Sequence, residues 1–595
     1  MNRSIVLLVL AVLLLSGCTV APAVPAATEA PIAAPVAAPA VPEPAAPAAA
    51  EPKVLRMNFQ LGDVYSIDPA LGYESTGIQV IEATTVGLVR LNEETMETEP
   101  GMAESRDVAA DGKTYTFHLR GDVPWVRYDP ATGAVEKVKG CDGNDRLVTA
   151  GDFHYGILRT LDPGLGGGYP NVLNYAIAGA QAYNLKETTD PASVGVKVVD
   201  DRTLEVAFSA PVAFNLNIIS MWNAHAQPQW LIEGDACTEA AGERWTDTGN
   251  FQGYGPFTLK EWLHEASLSI VKNPFWPGTA AVPSPKVDEI VWSMLDQVPA
   301  FSNYEADLLD MVLVPLSDID RVKSDPKFAD ELKIDANLAS YYYGFNIKAP
   351  VVDDVRVRRA LSMAVDRQDL VDNVTKGAEE PAQWFCRPGA AGCPNLEKYP
   401  DLGVKFDPDQ AKALLGEYLA EKGQTASQLD ITLAIASDSR HQRIAEAIQA
   451  MWKKHLDLDV KIMAQESKTY WVTVIDPVQT PQLWRNGWNA DYPDANNFIF
   501  ESFAYGLSRN PVGGGGTNWG KYEPFEEAIA KGAMETDPAA RMDLYAQAEQ
   551  ILNWEQCVMI PIYWDSQVAV TKPYVQRTYS KIKGFEHHEK WDIVR

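Results

Sequence analysis

The alternation of strand-like and helix-like segments between residues 341 and 466 limits the possible folds more than any other feature of this sequence. Residues 341–367 run from a strand through a loop into a helix. Periodicity then predicts a helix at 406–419, a strand at 429–437, a helix at 443–456 and a strand at 459–466. This β-α-β order is typical of an α/β lobe.

The chain before and after this region carries further regular segments. Thr149 is a good N-cap for a helix over 147–163, and apolar residues recur there at helical spacing. The other predicted segments are a helix-like stretch at 78–91, strands at 115–120, 203–211, 254–262, 267–276, 286–295 and 558–564, and a helix at 541–555. The four glycines at 513–516 lack the Lys-Ser/Thr of a phosphate-binding loop and are typical of a surface loop.

The N-terminus predicts export. Arg3 precedes an apolar run from Ile5 to Leu15, which is shorter than the ~20 residues that a membrane span needs. The run ends in Leu-Ser-Gly-Cys18, which resembles the lipobox of bacterial lipoproteins. The resemblance implies a signal peptide over 1–17, cleavage before Cys18 and a lipid on its thiol. No second apolar run of 18 or more residues is present, which argues against a polytopic protein.

Residues 20–52 are almost entirely Ala, Pro and Val, a composition that cannot build a core. We expect an extended tether over 18–52 that reaches up to roughly 100 Å from the lipid anchor. Residues 53–595 are too many for one core and predict two or three domains.

The chain is acidic, with a formal net charge of −29. Removing residues 1–17 takes away Arg3 and no acid, so the mature charge becomes −30. Such a surface repels nucleic acid and anionic membranes. We therefore expect no nucleic-acid partner, and no motif calls for a metal or cofactor.

Cysteine spacing suggests two disulfides in an exported chain. Cys386 and Cys393 flank a turn-rich RPGAAG segment, and closing so short a loop would add roughly 2–3 kcal/mol. Cys141 and Cys237 are the other candidate pair, and Cys557 in an apolar stretch is expected to be a buried free thiol.

The segment GWNADYPDANNF (487–498) places Asp491 and Asp494 among aromatic side chains. A carboxylate in such surroundings needs a partner, which could be an Arg, a metal or a ligand cation. Asp494 is expected to organise the turn at Pro493 through an Asx hydrogen bond.

The joint order of several motifs from about residue 54 to 594 resembles one family. The motifs are LVTAGDFHYGILRTLDP, YGPFTLKEW, VKNPFW, YYYGFNIKAPVVDDVRVRRALSMAVDR, DPDQAKALL, IQAMWKKHLDLDVKIMAQE, GWNADYPDANNF and VMIPIYW. The family is that of the extracellular solute-binding proteins of peptide ABC importers, family 5 of the bacterial binding proteins.

The resemblance implies an α/β, periplasmic-binding-protein-like clamp of two lobes, with an extra third domain inserted in the first. Lobe I would comprise 53–95, 215–340 and 566–595, the inserted domain 96–214, and lobe II 341–565. Chain crossovers near Tyr343 and Asp565 would form a hinge that closes on ligand.

The resemblance also implies site residues. Asp491 falls on the family position G-W-x-x-D that binds a peptide α-ammonium. Arg485, six residues earlier, matches an Arg that helps neutralise the ligand carboxylate; an internal ion pair with Asp491 is the alternative.

Three more side chains are candidates for ligand contact. Trp488 matches a pocket-lining Trp, although a core role is open. Asn489 replaces a disulfide Cys of oligopeptide-binding members. Among Tyr341, Tyr342 and Tyr343, one could bond the peptide main chain, and Tyr343 is the candidate nearest the predicted crossover.

Two segments depart from the family pattern and leave the ligand class open. Residues 126–145 are longer than usual, and 234–243 looks inserted. The alternative ligands are an oligosaccharide, a nickel complex, haem or an opine, and the aromatic content of 10% would suit sugar stacking.

An enzyme is a further alternative, since paired carboxylates among aromatics occur in glycosidases. The sequence has no HExxH or GxSxG motif, so a secreted hydrolase is disfavoured. The run Glu586-His587-His588-Glu589 could ligate a metal, but adjacent strand residues point to opposite faces, and a surface-exposed tail is expected. A non-transporting receptor of the same fold also stays open.

Together these features predict a monomeric, non-enzymatic peptide receptor. It would be lipid-anchored to the outer face of the cytoplasmic membrane, at the cell surface or in the periplasm. Its partners would be a membrane permease and two ATPase subunits.

Overall fold

The computed structural model of this chain describes residues 51–59, 62–167, 169–476, 478–505 and 520–595. The predicted signal peptide, Cys18, the tether up to residue 50 and the glycines at 513–516 lie outside these residues. The chain from Pro52 to Arg595 forms one compact unit. None of the helices in the described part is long and apolar enough to cross a membrane.

The strands of the described residues are numbered in chain order. They are β1 (Val54–Asn58), β2 (Val89–Leu91), β3 (Thr98–Pro100), β4 (Ala103–Val108), β5 (Thr114–Leu119), β6 (Val126–Asp129), β7 (Ala134–Lys137), β8 (Val196–Asp200), β9 (Thr203–Ala207), β10 (Phe257–Leu263), β11 (Ser267–Lys272), β12 (Glu289–Ser293), β13 (Met311–Leu313), β14 (Leu332–Phe345), β15 (Glu380–Pro381), β16 (Thr432–Ala436), β17 (Lys461–Gln465), β18 (Leu483–Asn489), β19 (Met559–Thr571), β20 (Val575–Gln576) and β21 (Asp592–Ile593).

The α-helices are numbered in the same way. They are α1 (Ser75–Thr84), α2 (Ala150–Leu161), α3 (Asn171–Ala176), α4 (Ala180–Asn184), α5 (Asn215–Ile219), α6 (Gln229–Ile232), α7 (Gln297–Glu305), α8 (Ile319–Ser324), α9 (Val355–Met363), α10 (Arg367–Leu370), α11 (Pro408–Lys422), α12 (Ser439–Leu456), α13 (Ser467–Ile475), α14 (Glu501–Phe503), α15 (Glu523–Met534) and α16 (Pro538–Gln550).

Local sequence signals account for most of these boundaries. Helix α2 follows Thr149, as predicted, and the Asp152 carboxylate accepts the Thr149 backbone N–H at 2.9 Å. The predicted helix over 78–91 is wrong at its end, because α1 stops at Thr84 and the chain continues into β2. The Thr84 and Thr85 hydroxyls donate back to the carbonyls of Val80 and Ile81, which satisfies the last turn.

Three larger sheets organise the described chain. One has the order β1-β12-β11-β10, and a second, within residues 103–207, has the order β4-β5-β9-β8. The third has the order β13-β19-β14-β18-β16-β17, with β15 added on β19. Strands β16, β17 and β18 are parallel neighbours, whereas β14, β18 and β19 pair antiparallel, so the α/β prediction for residues 341–466 is confirmed.

Strands β14 and β19 carry the chain in and out of residues 346–558, and they are the longest strands of the described part. Their pairing is in two halves. Leu332–Ala336 pairs with Ser566–Val570, Ser340–Gly344 pairs with Met559–Trp564, and the ladder is interrupted between Ala336 and Ser340. A two-strand connection with an interrupted ladder is suited to bending, and it lies at the predicted hinge.

Both predicted cysteine pairs are joined as disulfides in the structure. The Cα atoms of Cys141 and Cys237 are 5.5 Å apart, and those of Cys386 and Cys393 are 5.6 Å apart. Cys557 is a buried free thiol, and burial raises its pKa to about 11. A thiol of this kind is protonated and unreactive at neutral pH.

The prediction that residues 586–589 form a surface-exposed tail is wrong. His587 and His588 are fully buried. Residues His588–Lys590 form a 3-10 turn, and the centroid of the His588 ring lies 5.5 Å from that of Trp292 and 4.7 Å from that of Trp591. Glu589 meets the guanidinium of Arg90 at 2.9 Å.

We expect this buried region to make the fold sensitive to acid. Burial and the nearby Arg90 lower the pKa of His225 to about 3. The folded pKa lies below the ordinary value of 6.5, so the stability that His225 contributes is present above pH 6.5 and is lost as pH falls towards 3. Glu82 has the opposite effect on stability. Burial raises its pKa to about 7, above the ordinary value of 4.5, so Glu82 adds stability as pH falls from 7 to 4.5 and adds no more below pH 4.5.

The test is a His225→Gln variant. When pH is lowered from 4.5 to 3.5, the unfolding free energy of this variant should fall by about 1.4 kcal/mol less than that of the wild type. Denaturant titrations at both pH values measure this difference. A wild-type pH dependence in His225→Gln would contradict the prediction.

Candidate functional site

A cavity of about 440 Å³ lies where β14, β18 and β19 meet. Strand β14 contributes Ala339–Tyr341, β18 contributes Arg485–Asn489, and β19 contributes Tyr563 and Asp565–Val568. Further lining comes from Gln297, Leu313, Val314, Ile319 and Lys583 in the predicted lobe I, and from Glu379, Asp438, Arg440, His441 and Trp471 in the predicted lobe II. The cavity thus lies between the predicted lobes, beside the interrupted ladder, and has the size of a small-ligand site.

Of the three consecutive tyrosines, Tyr341 is the one that lines the cavity. Tyr341 lies opposite Gly487, and Tyr343 lies opposite Arg485. Side chains two residues apart share one face of a strand, but only Tyr341 lines the cavity. Tyr343 is fully buried in the core formed with Trp452 and its neighbours, so its hydroxyl does not face the cavity.

Arg485 lies on the cavity wall with its guanidinium over the Tyr341 ring, 4.6 Å from the centroid. Among the described residues it forms no ion pair, and its buried Nε has no hydrogen-bond partner. The alternative of an internal pair with Asp491 is therefore not what the structure shows. A guanidinium placed in this way offers its planar fork to an anionic group.

Asp491 lies beside the cavity rather than in its lining, and is half-buried. Its carboxylate accepts hydrogen bonds from the Tyr169 hydroxyl and from Asn497 Nδ2, the latter at 3.1 Å. Asn497 Oδ1 in turn accepts the Asp491 backbone N–H at 3.1 Å and Trp488 Nε1 at 2.9 Å. The carboxylate is thus held at a point where residues of the predicted inserted domain meet lobe II.

Trp488 and Asn489 both line the cavity. Trp488 is half-buried and its indole is fixed by Asn497, whereas Asn489 is exposed at the end of β18. Of the five predicted ligand residues, the structure therefore places Arg485, Trp488 and Asn489 on the wall, Asp491 next to it and Tyr343 away from it.

Asp494 has a structural role. It accepts the Asn496 backbone N–H at 2.8 Å, which is the predicted Asx contact. It also receives two hydrogen bonds from Arg541, at 2.9 and 2.7 Å, and both side chains are buried. This pair anchors the segment that carries Asp491 onto α16.

A charged group that the sequence analysis missed lines the hinge side of the cavity. Asp565 lies between Lys583 Nζ at 2.6 Å and Arg440 Nη2 at 3.5 Å. Arg440 also pairs with Glu379 at 2.8 Å. Burial would raise the pKa of Asp565, but Lys583 and Arg440 hold it below its usual value.

Next to this group, burial and the charges of Arg485 and Arg440 lower the pKa of His441 to about 2, so its ring is neutral. Of the three lining carboxylates, Glu379 and Asp565 are each engaged by a cation, and Asp438 caps α12 by accepting the backbone N–H groups of Arg440 and His441. They do not form the free acid–base pair that a glycosidase needs. The lining is suited to holding a polar ligand by charge and hydrogen bonding.

Tyr169, Arg440 and Lys583 had no signal in the sequence. Tyr169 follows a glycine-rich loop, Arg440 sits in the first turn of α12, and Lys583 lies in an irregular segment. Their relation to Asp491 and Asp565 is created only by the fold.

Comparison with known proteins gives consistent matches over most of the chain. The sequence family described as bacterial extracellular solute-binding proteins, family 5 Middle, matches residues 97–507. The dipeptide-binding protein DppE of Bacillus subtilis is 30% identical over 90% of this chain and 90% of its own. The periplasmic oligopeptide-binding protein OppA of Escherichia coli is 31% identical over 80% of this chain and 81% of its own.

Among solved structures, the murein tripeptide binding protein MppA of Escherichia coli superimposes with a TM-score of 0.75. It is 26% identical, and the match covers 92% of this chain and 99% of that one. This likeness confirms the predicted fold, an α/β clamp of two lobes.

Proposed function

Because the chain belongs to the bacterial extracellular solute-binding proteins of family 5, we propose that it captures peptides between its two lobes as the substrate-binding lipoprotein of an ABC importer. The relatives reported above are named as binding proteins for dipeptides, oligopeptides and a murein tripeptide. None of these names describes an enzyme, and the proposed role involves no hydrolysis.

The observation that carries the proposal is the placement of two opposite charges around one cavity. Arg485 faces the cavity without a carboxylate partner among the described residues, and Asp491 lies beside it in a half-buried position. A free peptide is a zwitterion, so its ammonium would pair with Asp491 and its carboxylate would lie towards Arg485. Charge-assisted hydrogen bonds in such a water-poor site are stronger than exposed ion pairs.

The ligand ammonium would bind the Asp491 carboxylate alongside Tyr169 and Asn497, which already donate hydrogen bonds to it. Tyr169 and Asn497 already fix the carboxylate, so little side-chain freedom remains to be lost on binding. Affinity would come from the two termini and the peptide main chain, which are common to all peptides. Side-chain selectivity would accordingly be loose.

The finer assignments follow from the sequence. Cys18 would carry the lipid, residues 18–52 would tether the compact unit, and the protein would act as a monomer at the outer face of the cytoplasmic membrane. It would deliver ligand to a permease driven by two ATPase subunits. No nucleic acid would be involved.

A ligand screen of residues 53–595 tests the proposal. We expect di- to pentapeptides to raise the thermal stability, by about 2.7 kcal/mol at 100 times the dissociation constant, and to be recovered intact. N-acetylated and C-amidated peptides should bind more weakly, since each lacks one terminal charge. Oligosaccharides are the matched control. Stabilisation by sugars with no response to peptides would overturn the ligand class, and cleavage of the peptides would overturn the binding-protein role.

A further inference from the structure

Glu501 is a carboxyl group buried at the contact between the predicted inserted domain and lobe II, with 1% of its surface exposed. From the inserted domain, Asn171 Nδ2 donates to it at 3.2 Å and the Tyr175 hydroxyl donates to its other oxygen. From lobe II, the Tyr492 hydroxyl donates at 3.2 Å. One side chain thus collects hydrogen bonds from both sides of the contact.

Aromatic packing surrounds this carboxyl group. The Tyr175 and Tyr492 hydroxyls are 2.9 Å apart, and the Tyr175 ring meets the edge of the Phe500 ring at 4.9 Å. The Phe214 ring stacks on Tyr492 at 5.9 Å. We call Asn171, Tyr175, Tyr492 and Glu501 the clasp, because opening the cleft would separate the first two residues from the last two.

No cation of the described residues pairs with Glu501. Asp491, which carries a charge of the same sign, raises the pKa of Glu501. Arg541, whose guanidinium lies over the Phe214 ring, is already engaged by Asp494. The titratable groups around the clasp are Tyr175 from α3, Asp491, Tyr492 and Asp494 from the segment before α14, Glu526 from α15, and Arg541 and Tyr545 from α16.

We infer that the two lobes close on a proton-dependent clasp, in which Glu501 must be uncharged for Asn171 and Tyr175 to dock against lobe II. Burying a carboxylate without a cation is costly, and a second carboxylate nearby adds to that cost. A protonated carboxyl group fills the same position without either penalty. This inference deepens the proposed function, because closure is the step that would trap the ligand.

The direction of the pH effect follows from the burial. In the closed arrangement, burial raises the pKa of Glu501 to about 8, and the charge of Asp491 adds to the shift. In an open arrangement the group is hydrated and its pKa returns to its ordinary value of 4.5. At a pH between these two pKa values, closure of the lobes is therefore accompanied by the uptake of one proton by Glu501. The ratio of closed to open molecules falls about tenfold for each pH unit of increase within this window.

The test measures closure without any peptide, so its failure is separate from a failure of the proposed function. Spin labels are attached at Val199→Cys and Glu417→Cys in residues 53–595, both exposed positions on opposite sides of the contact. The native free thiol, Cys557, is buried and is not labelled. Pulsed electron resonance then gives the closed fraction at pH 5, 6.5, 8 and 9.

The wild type should lose closed molecules as pH rises. Glu501→Gln keeps the shape and the hydrogen-bonding capacity but cannot ionise, so it should stay closed at every pH. Tyr175→Phe removes one donor and should be more open throughout while keeping the pH dependence. The exposed Glu527→Gln, paired only with Lys531 on α15, is the control and should behave as wild type.

A wild-type closed fraction that does not change with pH would overturn the inference, as would a Glu501→Gln variant that keeps the wild-type pH dependence. Should Glu501→Gln fail to unfold cooperatively, the wild type and Tyr175→Phe decide the question. Loss of the pH dependence in Tyr175→Phe, or no increase in its open fraction, contradicts the clasp.

Discussion

Replacing Asp491 by Asn should weaken the binding of peptides with a free amino terminus by about 100-fold, or about 2.7 kcal/mol. The amide is nearly the same size as the carboxylate and can still accept from Tyr169 and Asn497, so the fold should be kept. What is lost is the negative charge that would meet the ligand ammonium in a half-buried position. Calorimetric titration of a tripeptide into both proteins measures the difference.

N-acetylation of the same tripeptide supplies the matched control. Acetylation should weaken binding to the wild type by a similar factor. It should have little effect on binding to Asp491→Asn, because this variant has no carboxylate at position 491 to pair with the ammonium. If acetylation weakens binding equally in both proteins, the ammonium does not meet Asp491. If Asp491→Asn binds the free peptide as tightly as wild type, the assignment of Asp491 fails outright.

The second large effect is expected for Arg541→Met, which should lower the unfolding free energy by about 3–5 kcal/mol. Its guanidinium is the bidentate partner of Asp494, and both side chains are buried. Removing the cation leaves a buried carboxylate without its partner, and the Asn496 backbone N–H alone cannot offset that charge. Denaturant unfolding measures the loss.

The double variant Arg541→Met with Asp494→Asn should recover a large part of this stability, since it removes both charges together. Lys531→Met on α15 is the control. Its partner Glu527 is exposed, and the loss should stay below about 1 kcal/mol. A loss of less than about 1 kcal/mol in Arg541→Met itself would contradict the structural role given to the pair.

Local signals in the sequence were reliable wherever nearby residues decide the structure. Thr149 and Asp152 are three residues apart and define the start of α2. The β-α-β order of residues 341–466 and the strands β10 and β11 follow from periodicity. Joint order of short motifs was enough to identify the family and with it the two-lobed fold, since these motifs are spread over nearly the whole compact unit.

Local patterns do not predict the surroundings of a side chain that contacts distant parts of the chain. Residues 586–589 read as a polar tail, yet both histidines are buried, because His588 packs against Trp292 of β12 and His587 meets Glu93. Likewise, three consecutive tyrosines are equivalent in the sequence. Packing against Trp452 of α12 places Tyr343 in the core, whereas Tyr341, on the same face of β14, lies on the cavity wall.

From the sequence alone come the β-α-β order of residues 341–466, the start of α2, the family and the position of the acidic motif at Asp491. Periodicity and capping act over a few residues, and motif order survives in one dimension. Tertiary packing alone brings Tyr169 to Asp491 across 322 residues and Tyr175 to Glu501 across 326, and it leaves Arg485 on the cavity wall without an ion pair among the described residues. Such contacts depend on how sheets and lobes pack, and packing brings together residues whose spacing along the chain carries no information about their distance in space.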